Sequence, residues 1–412
     1  MNDIVLITLS GADKPGITAG VSGLLAEYAV NVLDIGQAVI HATLSMGLLL
    51  EIPTGAARKD IESALQVFAA SQQLQLRWEQ VAADSYGDWV AAQGRARYIT
   101  TLLARKITAD QLARVSAVFS RHGLGIDGIS RLSGRIPLGE LPPLSKACVE
   151  FSLRGSVPDV AAFRRELLEV ASVLEVDLAF QEDNMYRRNR RLVAFDMDST
   201  LIEAEVIDEL ARLAGVGEQV SAITERAMRG ELDFAASFRE RVALLKGLPE
   251  SALEEVAANL RITEGARHLI ATLRALGYKT AILSGGFTYF AHWLQQQLGI
   301  DFVHANELDI AQGVVTGNVS GVIVDGERKA ALLRQLAMRE GIDLQQVIAV
   351  GDGANDLPML SIAGLGIAFR AKPLVQQSAE QSISTLGLDA ILYLLGISDR
   401  YQPAAVSDIR PD

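Results

Sequence analysis

The sequence predicts an α/β protein in three parts: two ferredoxin-like βαββαβ units, then a Rossmann-like parallel sheet carrying a helical cap. Three observations lead there. The order of apolar runs and helically spaced segments in residues 1–82 returns in residues 95–182. From Leu192 onward strands alternate with helices, the pattern of a parallel sheet covered on both faces. Between about 205 and 265 the alternation stops and every segment reads as helix.

Ile4 to Leu9 is a β-branched and leucine run ending at Ser10-Gly11, which reads as a buried strand and turn. Pro15 stands near the first turn of a helix that puts Val21, Leu24, Leu25 and Tyr28 on one face. Strands over about 31–41 and 44–51, a helix over 57–71 and a strand over 73–81 complete the unit. That order is the split βαβ arrangement, a four-stranded antiparallel sheet with two helices on one face. Residues 82–94 read as a linker. The second copy runs through a strand at Tyr98–Leu103 and a helix from Thr108 to about His122. Strands near 125–133 and 146–154, a helix from Asp159 to about Val170 and a strand over 173–180 follow. The copies share their order of elements and only faint identity. Arg187-Arg188-Asn189-Arg190-Arg191 reads as a solvated junction. The third part, residues 190–398, has strands at 192–196, 278–283, 346–350 and 364–368. A helical insertion just after its first strand sits over the carboxyl ends of the strands, where α/β sheets bind ligands. The tail beyond Ser398, with Gln402-Pro403 and Arg410-Pro411, reads as loosely ordered chain.

Composition excludes several classes. With 412 residues the chain is long enough for about three domains at roughly 150 each. A 49% hydrophobic and 21% charged content describes packed globular protein. The net charge of −12 gives no bulk attraction to nucleic acid or to an anionic membrane. Mean hydropathy of +0.22 makes a membrane span worth checking. The apolar runs Met46–Leu50 and Ile362–Phe369 fall far short of the ~18 residues a span needs. The first residues lack the basic segment, long apolar stretch and small-residue cleavage site of a signal peptide. Cys148, the single cysteine, has no intramolecular partner for a disulfide, which fits a reducing compartment. The expectation is a soluble, cytoplasmic protein.

The chemistry gathers at strand ends. Val193-Ala-Phe-Asp196-Met-Asp198-Ser-Thr200 delivers two carboxylates, two residues apart, onto the turn after a buried strand. Two acids there need a cation or a proton between them, and magnesium with its preference for oxygen ligands answers this. Asp196 is then placed as a nucleophile and Asp198 as a general acid and base. An Asp-x-Asp pair alone also caps helices and lines loops. Ile282-Leu-Ser284-Gly285-Gly286 ends a second strand with a hydroxyl and unhindered N–H groups suited to phosphate oxygens. Lys329 opens a helix after Gly326 and can neutralise charge on a transferring phosphoryl group. Val350-Gly-Asp352-Gly-Ala-Asn355-Asp356 ends a third strand with two more carboxylates and an amide; its plain reading is a capped helix start.

Together these residues resemble the haloacid dehalogenase superfamily. Within it, Asp196-Met-Asp-Ser-Thr-Leu-Ile-Glu-Ala-Glu205-Val-Ile-Asp-Glu and the stretch from Ala227 to Pro249 resemble the phosphoserine phosphatase family. The resemblance implies Mg²⁺-dependent hydrolysis of O-phospho-L-serine to L-serine and phosphate through an aspartyl-phosphate, the last step of serine biosynthesis. It implies that Asp196 attacks phosphorus and that Asp198 protonates the departing seryl oxygen, then accepts a proton from water. Mg²⁺ would be held by Asp196, Asp352 and the backbone carbonyl of Asp198, with Asp356 behind them. Ser284, Gly285, Lys329 and Asn355 would cradle the phosphoryl group. Glu205 would pair with the substrate amine and Arg241 grip its carboxylate, while Met228 and Phe234 close an apolar lid. The plain alternative for Glu205 and Arg241 is an exposed helix ion pair worth under ~1 kcal/mol.

The N-terminal half resembles a tandem pair of ACT domains, small-molecule sensors. Asp13-Lys-Pro-Gly16-Ile17 and Asn31-Val-Leu-Asp34 fit the ligand loop and second strand of that family. The resemblance implies an amino-acid effector, L-serine, contacted by Asp13, Gly16 and Asn31, and a homodimer that completes the site. The second copy departs from the pattern: Leu103-Ala-Arg-Lys-Ile107 has neither the Asp nor the Gly. Phosphothreonine or phosphohomoserine stays open as the substrate. A sensor with a purely structural hydrolase domain would not need such costly buried charges, and ion pumping lacks a membrane span.

Overall fold

The computed structural model describes residues 3–54, 58–92, 94, 96–139 and 142–402. The chain divides into two compact units, Met1–Arg95 and Ala96–Asp412. In the first, β1 (Asp3–Ala12), α1 (Ile17–Glu27), β2 (Asn31–Ile40), β3 (Thr43–Ile52), α2 (Arg58–Ser71) and β4 (Leu74–Val81) follow the expected order. The antiparallel sheet runs β2-β3-β1-β4. Alternate residues Val5, Ile7 and Leu9 of β1 and Leu44, Met46, Leu48 and Leu50 of β3 are buried. They pack against Ile17, Val21 and Leu25 of α1 and Ile61, Leu65 and Ala69 of α2, the two- and 3.6-residue periods meeting in one core. The edge strand β2 is exposed along most of its length, Val32, Ile35, Val39 and Ile40 included.

The stretch expected to be a linker contains a helix, α3 (Ala83–Ala91). Tyr86 and Trp89 pack ring to ring one turn apart, at 5.9 Å. None of its side chains is buried, so it carries no apolar stripe for periodicity to find.

The second unit begins with β5 (Arg97–Ala104), α4 (Ala109–Arg121), β6 (Gly125–Arg131), β7 (Ala147–Arg154), α5 (Val160–Leu174) and β8 (Asp177–Glu182), with sheet order β6-β7-β5-β8. Thr108 and Gln111 form a reciprocal capping box at the start of α4. α5 runs a turn beyond the expected Val170 because Ala171 still faces the core, and Glu175 ends it in the left-handed region. β8 therefore starts at Asp177 rather than 173.

The seven-stranded sheet contains β9 (Leu192–Phe195), β10 (Lys279–Phe287), β11 (Phe302–Ala311), β12 (Val314–Ser320), β13 (Val347–Gly351), β14 (Leu365–Phe369) and β15 (Gln381–Ile383), in the order β12-β11-β10-β9-β13-β14-β15. All neighbours are parallel except β11 and β12. This corrects the wholly parallel expectation. The extra hairpin turns on Gln312 and Gly313, both at positive φ, and its half-exposed second strand gives a weak apolar signal.

Between β9 and β10 lie the cap helices α6 (Val206–Leu213), α7 (Gly217–Met228), α8 (Phe234–Ala243) and α9 (Ser251–Asn259), then α10 (Ala266–Ala275). The chain enters and leaves the cap through two crossings bridged at Ile202 and Ile262. Glu203 N–H donates to the Arg261 carbonyl at 3.0 Å, and Thr263 N–H to the Leu201 carbonyl at 3.0 Å. α11 (Thr288–Leu298), α12 (Gly326–Arg339), α13 (Leu357–Ile362), α14 (Pro373–Ser378) and α15 (Ile391–Leu394) complete the helices.

Two expectations at the junctions need correction. Arg187 and Arg190 are buried rather than solvated. Arg187 forms an ion pair with Glu150, and Arg190 donates to the Gln345 carbonyl, partners that only the fold brings within reach. The chain just past Ser398 is tied down: Asp399 N–H donates to the Leu132 carbonyl at 3.0 Å and Tyr393 OH to the Asp399 carboxylate at 2.6 Å. The remainder of the tail, including Pro403 and Arg410-Pro411, lies outside the described residues. Among the described residues no helix is long and apolar enough to cross a membrane.

Candidate active site

β9 is fully buried and hydrogen-bonded on both sides, so its last turn is a rigid platform. Asp196 sits on that turn, its N–H donating to the Val350 carbonyl at 2.8 Å and its carboxylate accepting from Met197 N–H at 2.7 Å. Lys329, on the first turn of α12 and wholly inaccessible, reaches both Asp196 at 2.8 Å and Asp356 at 2.6 Å. Asp325 caps α12 by accepting from Arg328 N–H at 2.9 Å, which fixes the turn bearing Lys329.

Asp196, Asp352 and Asp356 bring carboxylate oxygens within 4.8 Å of one another. Burial, then the Asp196 and Asp356 charges, push the Asp352 carboxyl up to about 8. One lysine is too little positive charge for three clustered carboxylates. An all-oxygen donor set short of positive charge fits a hard divalent cation. Burial lowers the tendency of Lys329 to stay charged, but Asp196 and Asp356 outweigh it and hold the ammonium form.

The Asp198 carboxylate points elsewhere, accepting from Val206 N–H at 3.0 Å at the start of α6. Burial, with Glu205 and Asp196 adding to it, pushes Asp198 well above the ordinary carboxylate range. A side chain at Gly286 would collide with this carboxylate, so the glycine allows the two loops to meet. Gly286 N–H donates to Ser284 Oγ at 2.9 Å. Phe234, the half-buried first residue of α8, lies over Gly285, where a Cβ would come within 2.7 Å of its ring. Asn355 sits half-buried in the short turn after β13.

In the cap, Glu205 accepts from Ser199 Oγ at 2.8 Å, and burial raises its carboxyl. Arg241 donates to the Ser237 carbonyl at 3.4 Å. Burial lowers its guanidinium, while Asp208, Glu205 and Asp198 pull it the other way. Among the described residues no carboxylate lies within ion-pair distance of Arg241, so the exposed Glu205–Arg241 helix pair is not formed. Met228, at the end of α7, is 67% exposed, whereas Phe234 is half-buried.

Two residues went unread in the sequence. Thr200 is inaccessible and donates to the Asp352 carboxylate at 3.3 Å. Asn306 of β11 donates to the Gly285 carbonyl at 2.8 Å and accepts from Val324 N–H at 2.8 Å, joining the Ser284 loop to the approach to α12. An asparagine in a half-exposed strand carries no sequence signal for this.

In the first unit Gly16 is the exposed N-cap of α1 at φ 93°, and Asp13 N–H donates to the Ala42 carbonyl at 2.9 Å. Asn31 is not beside them. It pairs with Glu51 at the other end of β3 and donates to that side chain at 2.9 Å.

The profile of haloacid dehalogenase-like hydrolases matches residues 193–361, and that of the ACT domain residues 3–79. Fold and site therefore define a haloacid dehalogenase-like hydrolase with an N-terminal ACT domain. The chain is 41% identical over 401 residues to the phosphoserine phosphatase of Streptomyces coelicolor, covering 97% of this chain and 94% of that one. It is 40% identical over 401 residues to phosphoserine phosphatase SerB2 of Mycobacterium tuberculosis, covering 96% and 93%. The crystal structure of a probable phosphoserine phosphatase from Vibrio cholerae, in unliganded form, matches with a TM-score of 0.58 at 34% identity, over 74% of this chain and 88% of that one. The chain belongs to the phosphoserine phosphatase family.

Proposed function

We propose that the protein hydrolyses O-phospho-L-serine to L-serine and phosphate through an aspartyl-phosphate at Asp196. The observation that carries this reading is the buried Asp196–Lys329 contact of 2.8 Å at the end of β9, with the Asp198 carboxylate against the Ser284–Gly286 loop. An Asp196 oxygen attacks phosphorus, the bond to the seryl oxygen breaks, and Asp198 gives that oxygen its proton. Burial and its neighbours favour the neutral form of Asp198, the form that has a proton to give. Water then attacks the phosphorus of the intermediate and passes a proton back to Asp198, while the bond to Asp196 breaks. Lys329, Ser284, Asn355 and the backbone at Gly285 hold the phosphoryl oxygens. Arg241 takes the substrate carboxylate and Glu205 its ammonium group. Phe234 excludes water over Gly285, and Met228 joins it when the cap closes on substrate.

Asp196, Asp352 and the Asp198 carbonyl would hold Mg²⁺, with Asp356 fixing Lys329 behind them. When bound, the ion neutralises charge on the phosphoryl oxygens. The lone buried cysteine, Cys148, supports a cytoplasmic setting.

The first unit takes an amino acid, L-serine, at Asp13 and Gly16. Asn31 lies eight residues along β3 from the Asp13 end, ~27 Å at about 3.4 Å per residue. A ligand at Gly16 therefore meets Asn31 only when a second copy supplies it, which supports a homodimer.

Phosphate release from O-phospho-L-serine with Mg²⁺, by wild type and Asp196→Asn, tests the reaction. Release by wild type alone is expected. No release, or equal release by the variant, would overturn it.

A further inference from the structure

The loop after β5 holds the place that Asp13-Lys-Pro-Gly16 occupies after β1, yet it carries Arg105. Its guanidinium makes a two-pronged contact with Glu264, Nη1 to Oε1 at 2.9 Å and Nη2 to Oε2 at 3.0 Å. Glu264 directly follows Thr263, one of the residues pairing the two chain crossings beneath the cap. Arg370, in the loop after β14, donates to the same carboxylate at 2.7 Å and stands 3.7 Å from Glu203 on the other crossing. Both crossings thus end in one network of four charges, Arg105–Glu264–Arg370–Glu203.

The loop that supplies Arg105 is itself fastened. Ser145 Oγ donates to the Arg105 carbonyl at 3.2 Å. The adjacent Lys146 forms an ion pair with Asp389, whose side chain fills the space where Gly265 would carry a Cβ. Glu264 is only 17% exposed. Burial alone would raise its carboxyl, but the hydrogen bonds and charges of Arg105 and Arg370 hold it below the ordinary range. An ion pair so placed resists solvent screening better than a surface pair.

The reaction proposed above brings substrate to Asp196 and Asp198, 5% and 8% exposed, and to inaccessible Lys329, at strand ends next to a cap carried on these two crossings. We propose that Arg105 is a positioning residue for the phosphatase site: the second four-stranded unit, in place of an effector loop, braces the cap hinge through Glu264. The inference rests on the reaction proposed above. Arg105 touches none of the reacting groups, so its loss changes how often the cap is closed rather than the chemistry behind it.

The test compares Arg105→Ala, Arg105→Lys, Glu264→Ala and the Arg105→Ala/Glu264→Ala pair in the full chain, with the exposed Arg114→Ala as control. For Arg105→Ala, KM for O-phospho-L-serine should rise on the order of threefold to tenfold while kcat stays within about twofold. Amide hydrogen exchange should quicken in residues 201–203 and 261–263. Arg105→Lys should fall between, since a single ammonium cannot make both contacts, and the double variant should be no worse than Glu264→Ala. Unchanged KM and unchanged exchange in Arg105→Ala would overturn the brace, as would a loss of kcat matching the rise in KM. If wild type fails to hydrolyse phosphoserine, the reaction is wrong, and the exchange measurement still decides the brace.

Discussion

Replacing Asn306 by alanine attacks the site through its frame. The amide of Asn306 is 1% exposed and satisfies two backbone groups, the Gly285 carbonyl and Val324 N–H, each at 2.8 Å. Removing it leaves both buried without a partner, and each such group costs about 1–3 kcal/mol. The expected destabilisation is therefore ~2–6 kcal/mol, read as a shift in the urea midpoint at constant m-value. Catalysis should suffer separately, because the Asn306 side chain holds the Gly285 carbonyl of the phosphoryl-binding loop. A loop shifted by about 1 Å can cost on the order of 10²-fold in kcat/KM. Asn306→Asp separates the two effects: it keeps the acceptor for Val324 and sets a carboxylate against the Gly285 carbonyl. It should lose turnover at least as severely as the alanine variant. A destabilisation below ~0.5 kcal/mol in Asn306→Ala, with kcat/KM within about twofold of wild type, would refute this reasoning.

Asp198→Asn should slow both formation and hydrolysis of the aspartyl-phosphate by ~10²–10⁴-fold, measured by quenched-flow phosphate release. A loss under about threefold counts against its proton-transfer role. Arg241→Ala should raise KM for O-phospho-L-serine far more than for a phosphate ester without a carboxylate; equal damage to both would make Arg241 a cap support. Chelation should abolish turnover and Mg²⁺ restore it. The ion should also raise the melting temperature, because it offsets the burial and then the Asp196 and Asp356 charges that together push Asp352 up to about 8. Gly16→Val should abolish the calorimetric signal of L-serine while turnover persists. Valine at φ 93° strains the first unit by about 1–2 kcal/mol, and an L-serine signal as strong as in wild type would move the effector site elsewhere.

The paired acids after Val193-Ala-Phe were legible because an apolar run ending in charge has few physical readings. Ser284-Gly-Gly after Ala281-Ile-Leu was legible as a hydroxyl and unhindered N–H groups ending a second apolar strand. Charges off the strand ends were not legible in that way. Arg105, Arg187 and Arg190 have the composition of a solvated surface, and only the long-range partners Glu264, Glu150 and Gln345 distinguish a brace from a decoration. Asn306 is silent for the same reason, since its two partners lie 21 and 18 residues away. The β11–β12 hairpin and α3 escaped because neither buries a clean stripe. In the cap, the family resemblance put Phe234 and Met228 in one lid; Phe234 lies against Gly285, while Met228 is 67% exposed.

The outer edge of β8 is closed in an unusual way. Gln381, on β15, turns its side-chain amide to Phe180, accepting from its N–H at 2.8 Å and donating to its carbonyl at 2.6 Å. One glutamine thereby imitates a peptide unit of a neighbouring strand. Asp177 extends the seal by accepting from Ser384 and Thr385 N–H at 2.9 and 2.7 Å. A strand edge satisfied by side chains offers no ladder to a stranger, which removes a route to aggregation. It also sets where the chain can be cut. A fragment starting at residue 96 keeps these bonds, whereas one starting at 190 takes Phe180 from Gln381 and Lys146 from Asp389, and leaves Glu264 with Arg370 but without Arg105. The second four-stranded sheet should therefore melt with the seven-stranded one, as a single cooperative transition.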